Sequence, residues 1–313
     1  MAGGKKQAPA IGGRSSMGTD QESYCGNRMD SYEERRNKVR RFQLTSDIFF
    51  CKVLEDKEAC QEVVRILLGH PSLVVKDVKT QYSIRNIENR SVVLDVLAED
   101  TDGRMVNVEM QVSEDEDHQR RARYYQASMD MSFLEKGCPY EELPELYLIF
   151  ITEKDFLNQK TGISYIDRVV RGQGTVTDNG VHEVYANLTY GCEDEKIDEL
   201  LRYMKKSDSD YQTEVFPNVV RKVRYLKEQK EGVEIMCKIL EEEREQGIRI
   251  GVKQGMEQGI TLGIEQGMEK GIRAFICDNR EENIPRERVL VKLQKRFELS
   301  EDEAEMWLEK YWG

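Results

Sequence analysis

No stretch of this 313-residue chain approaches the ~18 consecutive apolar residues of a membrane span. The N-terminus, rich in Gly, Lys and Ser, lacks the apolar run of a secretory signal. Histidine is scarce: His70, His118 and His182 stand far apart, so the spacing of a zinc site is missing. The seven cysteines (25, 51, 60, 138, 192, 237 and 277) are scattered, odd in number and never form a C-x-x-C pair, which suggests reduced thiols in a cytoplasmic protein. An excess of positive charge is also lacking. Lys and Arg number 47 against 59 Asp and Glu, a net charge of −12, unlike the basic footprint of a constitutive nucleic-acid binder. DNA binding, if present, is expected to be weak, salt-sensitive and metal-dependent.

What the chain does hold is enough apolar material, 39%, for one large or two ordinary domains. Residues 1–40 have no hydrophobic periodicity and read as a disordered or loosely helical leader. A helical pattern starts at Ser46, with Asp47 in its positive first turn and Phe50, Val53 and Leu54 at helical spacing. A second helix, Ala59 to Leu68, is closed by Gly69 and Pro71. Val74 to Arg85 has the β-branched, alternating character of a strand.

The segment Ser91 to Val112 is the most informative. It reads as a hairpin through Thr101-Asp102-Gly103, with Gly103 left-handed and Asp100 paired with Arg104. Val92, Leu94, Val96 and Ala98 then share one apolar face with Val106, Val108, Met110 and Val112. On the other face Asp95 lies opposite Glu109, with Gln111 beside them. Two carboxylates with Cβ atoms roughly 5 Å apart repel unless a proton or cation lies between them. A hard divalent ion, Mg²⁺ or Mn²⁺, suits such oxygen ligands.

Asp95 followed by Glu109-Met110-Gln111 resembles the PD-(D/E)XK nuclease signature. The Glu-x-Gln form, with Thr45-Ser46-Asp47-Ile48-Phe49-Phe50 upstream and Gln119-Arg120-Arg121-Ala122-Arg123-Tyr124-Tyr125 downstream, is similar to the Rpn-type recombination-promoting nuclease and transposase branch. The likeness is close over residues 41–155 and looser to 245. It implies a restriction-endonuclease-like fold, DNA as partner, and Asp95 and Glu109 as metal ligands together with the carbonyl of Met110. Most relatives carry Lys where Gln111 stands. Gln cannot titrate; it orients water or donates to phosphate, or else marks a lost active site. Asp47 stands where the Rpn-type pattern has an Asp, and reads equally as a helix-start anion.

Glu114 to Lys136 is expected to be a helix, opened by four acids and closed by Gly137. Ala122, Tyr125, Met129 and Phe133 form its core stripe. Its arginines read as a solvated face, or, for Arg121 with Tyr125 one turn on, as a phosphate clamp. Leu146 to Thr152 is a strand buried on both sides. The result is a mixed α/β (α+β) class with an α-β-β-β-α-β core, the topology that the resemblance also implies, followed by a helical C-terminal extension.

Beyond Glu153, strands are expected over Gly162–Val170 and Val181–Leu188, and helices over Glu195–Met204 and Thr213–Glu243. Residues 41–245 then form the nuclease-like domain. In residues 247–272 Gly recurs every fourth position, at 247, 251, 255, 259, 263, 267 and 271. This repeat reads as a weakly helical spacer or as a surface for homo-oligomerisation. Residues 274–313 form a small helical unit with a Ser300/Glu303 capping box. Two functions compete: a metal-dependent DNA endonuclease of transposase or recombination-promoting type, and a catalytically silent interaction protein that assembles through the repeat.

Overall fold

The computed structural model describes residues 31–86, 90–112 and 118–313. The first elements are helices α1 (Tyr32–Arg40), α2 (Asp47–Leu54) and α3 (Lys57–Leu68). Asp56 caps α3 by accepting the Ala59 N–H, and Gly69, at φ 66°, ends it in the left-handed conformation that glycine adopts without strain. Of the leader expected over residues 1–40, residues 1–30 lie outside the described residues. The remainder is largely the helix α1, held by distant parts of the chain. Val39 is fully buried, and Arg36 and Arg40 both pair with Glu228.

Strands β1 (Val75–Ile84), β2 (Val92–Asp100) and β3 (Met105–Gln111) pair antiparallel. Helix α4 (His118–Phe133) then crosses to β4 (Leu146–Thr152), which runs parallel to β3. Four further strands follow: β5 (Ile163–Ile166), β6 (Arg168–Val170), β7 (Thr175–Thr177) and β8 (Val181–Asn187). The main sheet has the order β1-β2-β3-β4-β8-β5, and β6 with β7 forms a separate ribbon. The α-β-β-β-α-β core is as expected from the sequence. One detail of α4 differs, in that it ends at Phe133; its expected acidic start, residues 114–117, lies outside the described residues. Gly137 (φ 93°) instead turns the loop that joins Glu135 to Cys138.

Both faces of this sheet are covered, which is why all seven residues of β4 are buried. One face packs on α1–α3, α5 (Glu195–Met204) and α6 (Pro217–Glu228); the other packs on α4 through Ala122, Tyr125 and Met129. The single helix expected over Thr213–Glu243 is two. The chain extends at Gln229 before α7 (Lys230–Glu281), and Gly232 presses so closely on α6 that a Cβ there would lie 2.1 Å from the Tyr225 carbonyl oxygen.

Helix α7 is 52 residues long and passes without a break through the boundaries expected near residues 246 and 273. Its last turns pack with α8 (Arg286–Phe297) and α9 (Glu301–Tyr311) around Ile272, Ile276, Val289, Leu293, Ala304 and Leu308. The Ser300/Glu303 capping box is present. Among the described residues no helix is long and apolar enough to cross a membrane.

Candidate active site

In the β2–β3 ladder Val96 faces Val108 and Ala98 faces Val106, and the pairing ends there, immediately before Asp95 and Glu109. At that point side chains replace the ladder. The Asp95 N–H donates to Glu109 Oε1 at 3.0 Å, and the Met110 N–H donates to Asp95 Oδ2 at 3.1 Å. In β1, the facing Gln81 has φ 51°, a left-handed conformation that costs an L-residue roughly 1–2 kcal/mol.

Both strands change pleat parity across this pair. Val78, Val96 and Ala98 pack in the α2–α3 layer, whereas Tyr82, Ile84, Val92 and Leu94 pack in the α4 layer. The expectation that Val92, Leu94, Val96 and Ala98 share one face is therefore corrected.

Glu109 is fully buried, and its Oε2 accepts the Gln111 Nε2 at 3.2 Å and faces Arg121 Nη2 at 3.5 Å. Gln111 Oε1 in turn accepts from Arg121 Nη1 at 2.6 Å. Arg121 Nε donates to Tyr125 Oη at 3.0 Å, and the guanidinium lies 5.0 Å from that ring's centroid. A continuous chain of bonds thus links Tyr125, Arg121, Gln111, Glu109 and the Asp95 backbone. The structure brings together all of these expected residues, and the Arg121 side chain keeps 22% of its surface exposed.

Asp47 stands apart from that network. It lines a cleft of about 500 Å³ with Cys51 and Lys52 of α2, Gln81 of β1, Asp95, and Ile239 and Glu243 of α7. Gln81 and Cys51 were not foreseen from the sequence. Gln81 Nε2 donates to Cys51 Sγ at 3.2 Å and to Asp95 Oδ1 at 3.4 Å, so it holds the free side of the carboxylate. Nothing in the sequence marks it, because its role depends on a positive φ inside an otherwise regular strand pattern. Burial pushes the Cys51 thiol up to about 12, so it stays protonated and is no nucleophile.

Burial raises the Glu109 carboxyl above its ordinary range, and the charge of Asp95 raises it further. Asp95 is also raised, by burial and then by the charge of Asp47, against the opposing effect of the Met110 N–H. No three His, Cys, Asp or Glu side chains form a ready-made metal cluster among the described residues. The donor chemistry nevertheless fits a hard divalent ion. The pair offers only oxygen, and its ionised form carries negative charge that one cation would offset. In a strand the N–H and C=O of one residue point to the same side, so the Met110 carbonyl is directed, like its N–H, towards Asp95.

A mixed sheet flanked by helices, with an α-β-β-β-α-β core and an Asp/Glu pair where β2 and β3 part, defines a restriction-endonuclease-like PD-(D/E)XK fold. Residues 50–175 match the family model described as PD-(D/E)XK nuclease family transposase. The match supports a function of nuclease or transposase type. No curated protein and no solved structure matches the chain.

Proposed function

We propose that the protein is a metal-dependent DNA endonuclease of the recombination-promoting, transposase type, which hydrolyses a phosphodiester bond. The observation that carries this reading is the pairing of half-buried Asp95 with fully buried Glu109, each carboxylate accepting a backbone N–H from the strand that carries the other. Asp95, Glu109 and the Met110 carbonyl would hold Mg²⁺ or Mn²⁺. When bound, such an ion acidifies water and offsets charge developing on phosphorus.

The chain's own groups supply the rest. The exposed edge of Arg121 receives a phosphate oxygen, and Tyr125, bonded to Nε, fixes the plane of that guanidinium. Gln111 carries no titratable proton; wedged between Glu109 and Arg121, its amide sets the orientation of both. Asp47 faces the cleft from α2 and adds negative charge beside Asp95. Attack by water forms a new P–O bond as the bond to the leaving sugar oxygen breaks. The water's proton passes to solvent, because Gln111, standing where most relatives carry Lys, cannot accept it.

Six free cysteines among the described residues suit a reducing, cytoplasmic setting. The acidic chain implies that DNA is held weakly and in a salt-sensitive way. The test is nicking of supercoiled plasmid with Mg²⁺, Mn²⁺ or EDTA, comparing wild type with Asp95→Asn. Cleavage by wild type that requires metal and is lost in the variant is expected; equal cleavage by both overturns the assignment. A second reading, a silent nuclease-fold interaction protein, is favoured by the non-titrating Gln111 and the net charge of −12. It requires no nicking under any condition.

A further inference from the structure

Residues 241–268 of α7 leave the catalytic domain and are exposed, about 40 Å of helix at 1.5 Å per residue. Along them Ile248, Val252, Met256, Ile260, Ile264 and Met268 recur every fourth residue, each between 37% and 65% exposed. One residue before each stands a glycine, from Gly247 to Gly267, where an added Cβ would meet nothing within 4 Å. Glycine is a poorer helix former than Ala, and at these six positions no neighbouring group within the chain makes use of the missing side chain.

Side chains four apart form a ridge, and the glycine row beside it forms a groove of matching pitch. One helix therefore displays both halves of a self-complementary surface. The next step of the same rows shows what covers them: Ile272 and Ile276 are buried against α8 and α9, and a Cβ on Gly271 would lie 3.6 Å from the Phe297 ring.

We propose that residues 247–268 bind the same segment of a second copy of this chain, the two helices crossing antiparallel with each ridge seated in the other's glycine groove. Ridges of this spacing interlock at a crossing angle of about −50°, and small residues let the backbones approach. A row of period four drifts about 40° per step on a straight helix, so contact is confined to a few steps around Gly259 and Ile260.

Charge sets the direction. After each ridge residue stand, in order, Arg249, Lys253, Glu257, Thr261, Glu265 and Glu269. An antiparallel pair places Lys253 towards the partner's Glu265, whereas a parallel pair places each charge beside itself. Glu269 is already held by Lys310 at 2.7 Å, whereas Lys253 has only a long, exposed contact of 3.9 Å with Glu257 on its own helix. Crossed helices alone bury less than the ~1,200 Å² of a stable interface, so the association is weak. This surface is independent of the nuclease reading.

Sedimentation equilibrium of the full chain over micromolar concentrations is the test. A monomer–dimer equilibrium is expected. The double variant Gly259→Leu with Gly263→Leu fills the groove and should be monomeric, with helical circular dichroism retained or increased because Leu is the better helix former. Lys253→Glu and Glu265→Lys should each weaken the dimer roughly tenfold, and their combination should restore it. A chain that is monomeric throughout, or a Leu variant that dimerises like wild type, overturns the proposal. Failure of the charge exchange to restore affinity overturns the antiparallel arrangement.

Discussion

Asp95 and Glu109 each accept a hydrogen bond from the backbone that carries the other, at 3.0 Å from the Asp95 N–H and 3.1 Å from the Met110 N–H. The two acids repel through their charges while binding each other's strands. Their structural and chemical roles are separable by choice of substitution.

Glu109→Gln keeps the acceptor for the Asp95 N–H and removes a buried charge. The metal-free protein should melt no lower than wild type, while cleavage falls by more than ~10³-fold, the equivalent of several kcal/mol of lost charge stabilisation. Glu109→Ala should differ by also leaving a buried N–H without an acceptor, a cost of ~1–3 kcal/mol. Thermal melts and plasmid nicking on the two variants check this; undiminished nicking by Glu109→Gln counts against the site.

Raised carboxyl pKa values make stability depend on pH with a definite sign. In the unfolded chain these groups titrate near ~4, whereas the folded protein holds the protons to higher pH. Their contribution is complete below ~pH 4 and is lost as pH rises through the folded values. Relative to Glu109→Gln, the wild-type melting temperature without metal should therefore decline from pH 5 to pH 8. Mn²⁺ binds the ionised pair and should raise the melting temperature more at pH 8 than at pH 6. An equal or absent Mn²⁺ effect at both would exclude the pair as its ligand.

Arg121 spans Gln111 and Tyr125 with separate nitrogens of one planar group. Arg121→Ala should lower cleavage ~10²-fold or more, and Arg121→Lys should recover little, because a single ammonium cannot reproduce that fork. Gln111→Lys places a second cation beside Arg121 and Glu109 and should retain part of the activity. Initial nicking rates at fixed metal measure both; full activity in Arg121→Lys would show that only charge is needed.

Gln81 sits at a φ that glycine tolerates freely. Gln81→Gly should leave stability unchanged or raise it by up to ~1 kcal/mol, yet reduce cleavage by releasing Asp95 Oδ1. Gln81→Val, β-branched at positive φ, should destabilise by ~1–2 kcal/mol or more. Chemical denaturation of both variants tests the backbone; a less stable glycine variant would place the value of Gln81 in its side chain.

The core topology was legible because its signals are local. Alternation of Val, Leu and Met in the hairpin, the seven apolar residues of β4 and the glycine after α3 each reflect a short-range preference that burial then reinforces. The pairing of β2 with β3 as far as Val96 and Val108 followed from the same period of two, counted outwards from the turn at Gly103. Helix α1 was illegible for the opposite reason, since it owes its order to Glu228, nearly two hundred residues away.

Residue type and spacing were thus sufficient to place the two acids, Gln111 and Arg121 on neighbouring elements, because pleat and helix period are properties of the backbone. Tertiary structure alone decided that the strands reverse parity at Gln81 and Asp95, that Arg121 closes on Gln111, and that α7 walls the cleft before running out into solvent. Those outcomes depend on which polar group wins a particular amide or carboxylate in three dimensions, a competition among distant segments that no local pattern records.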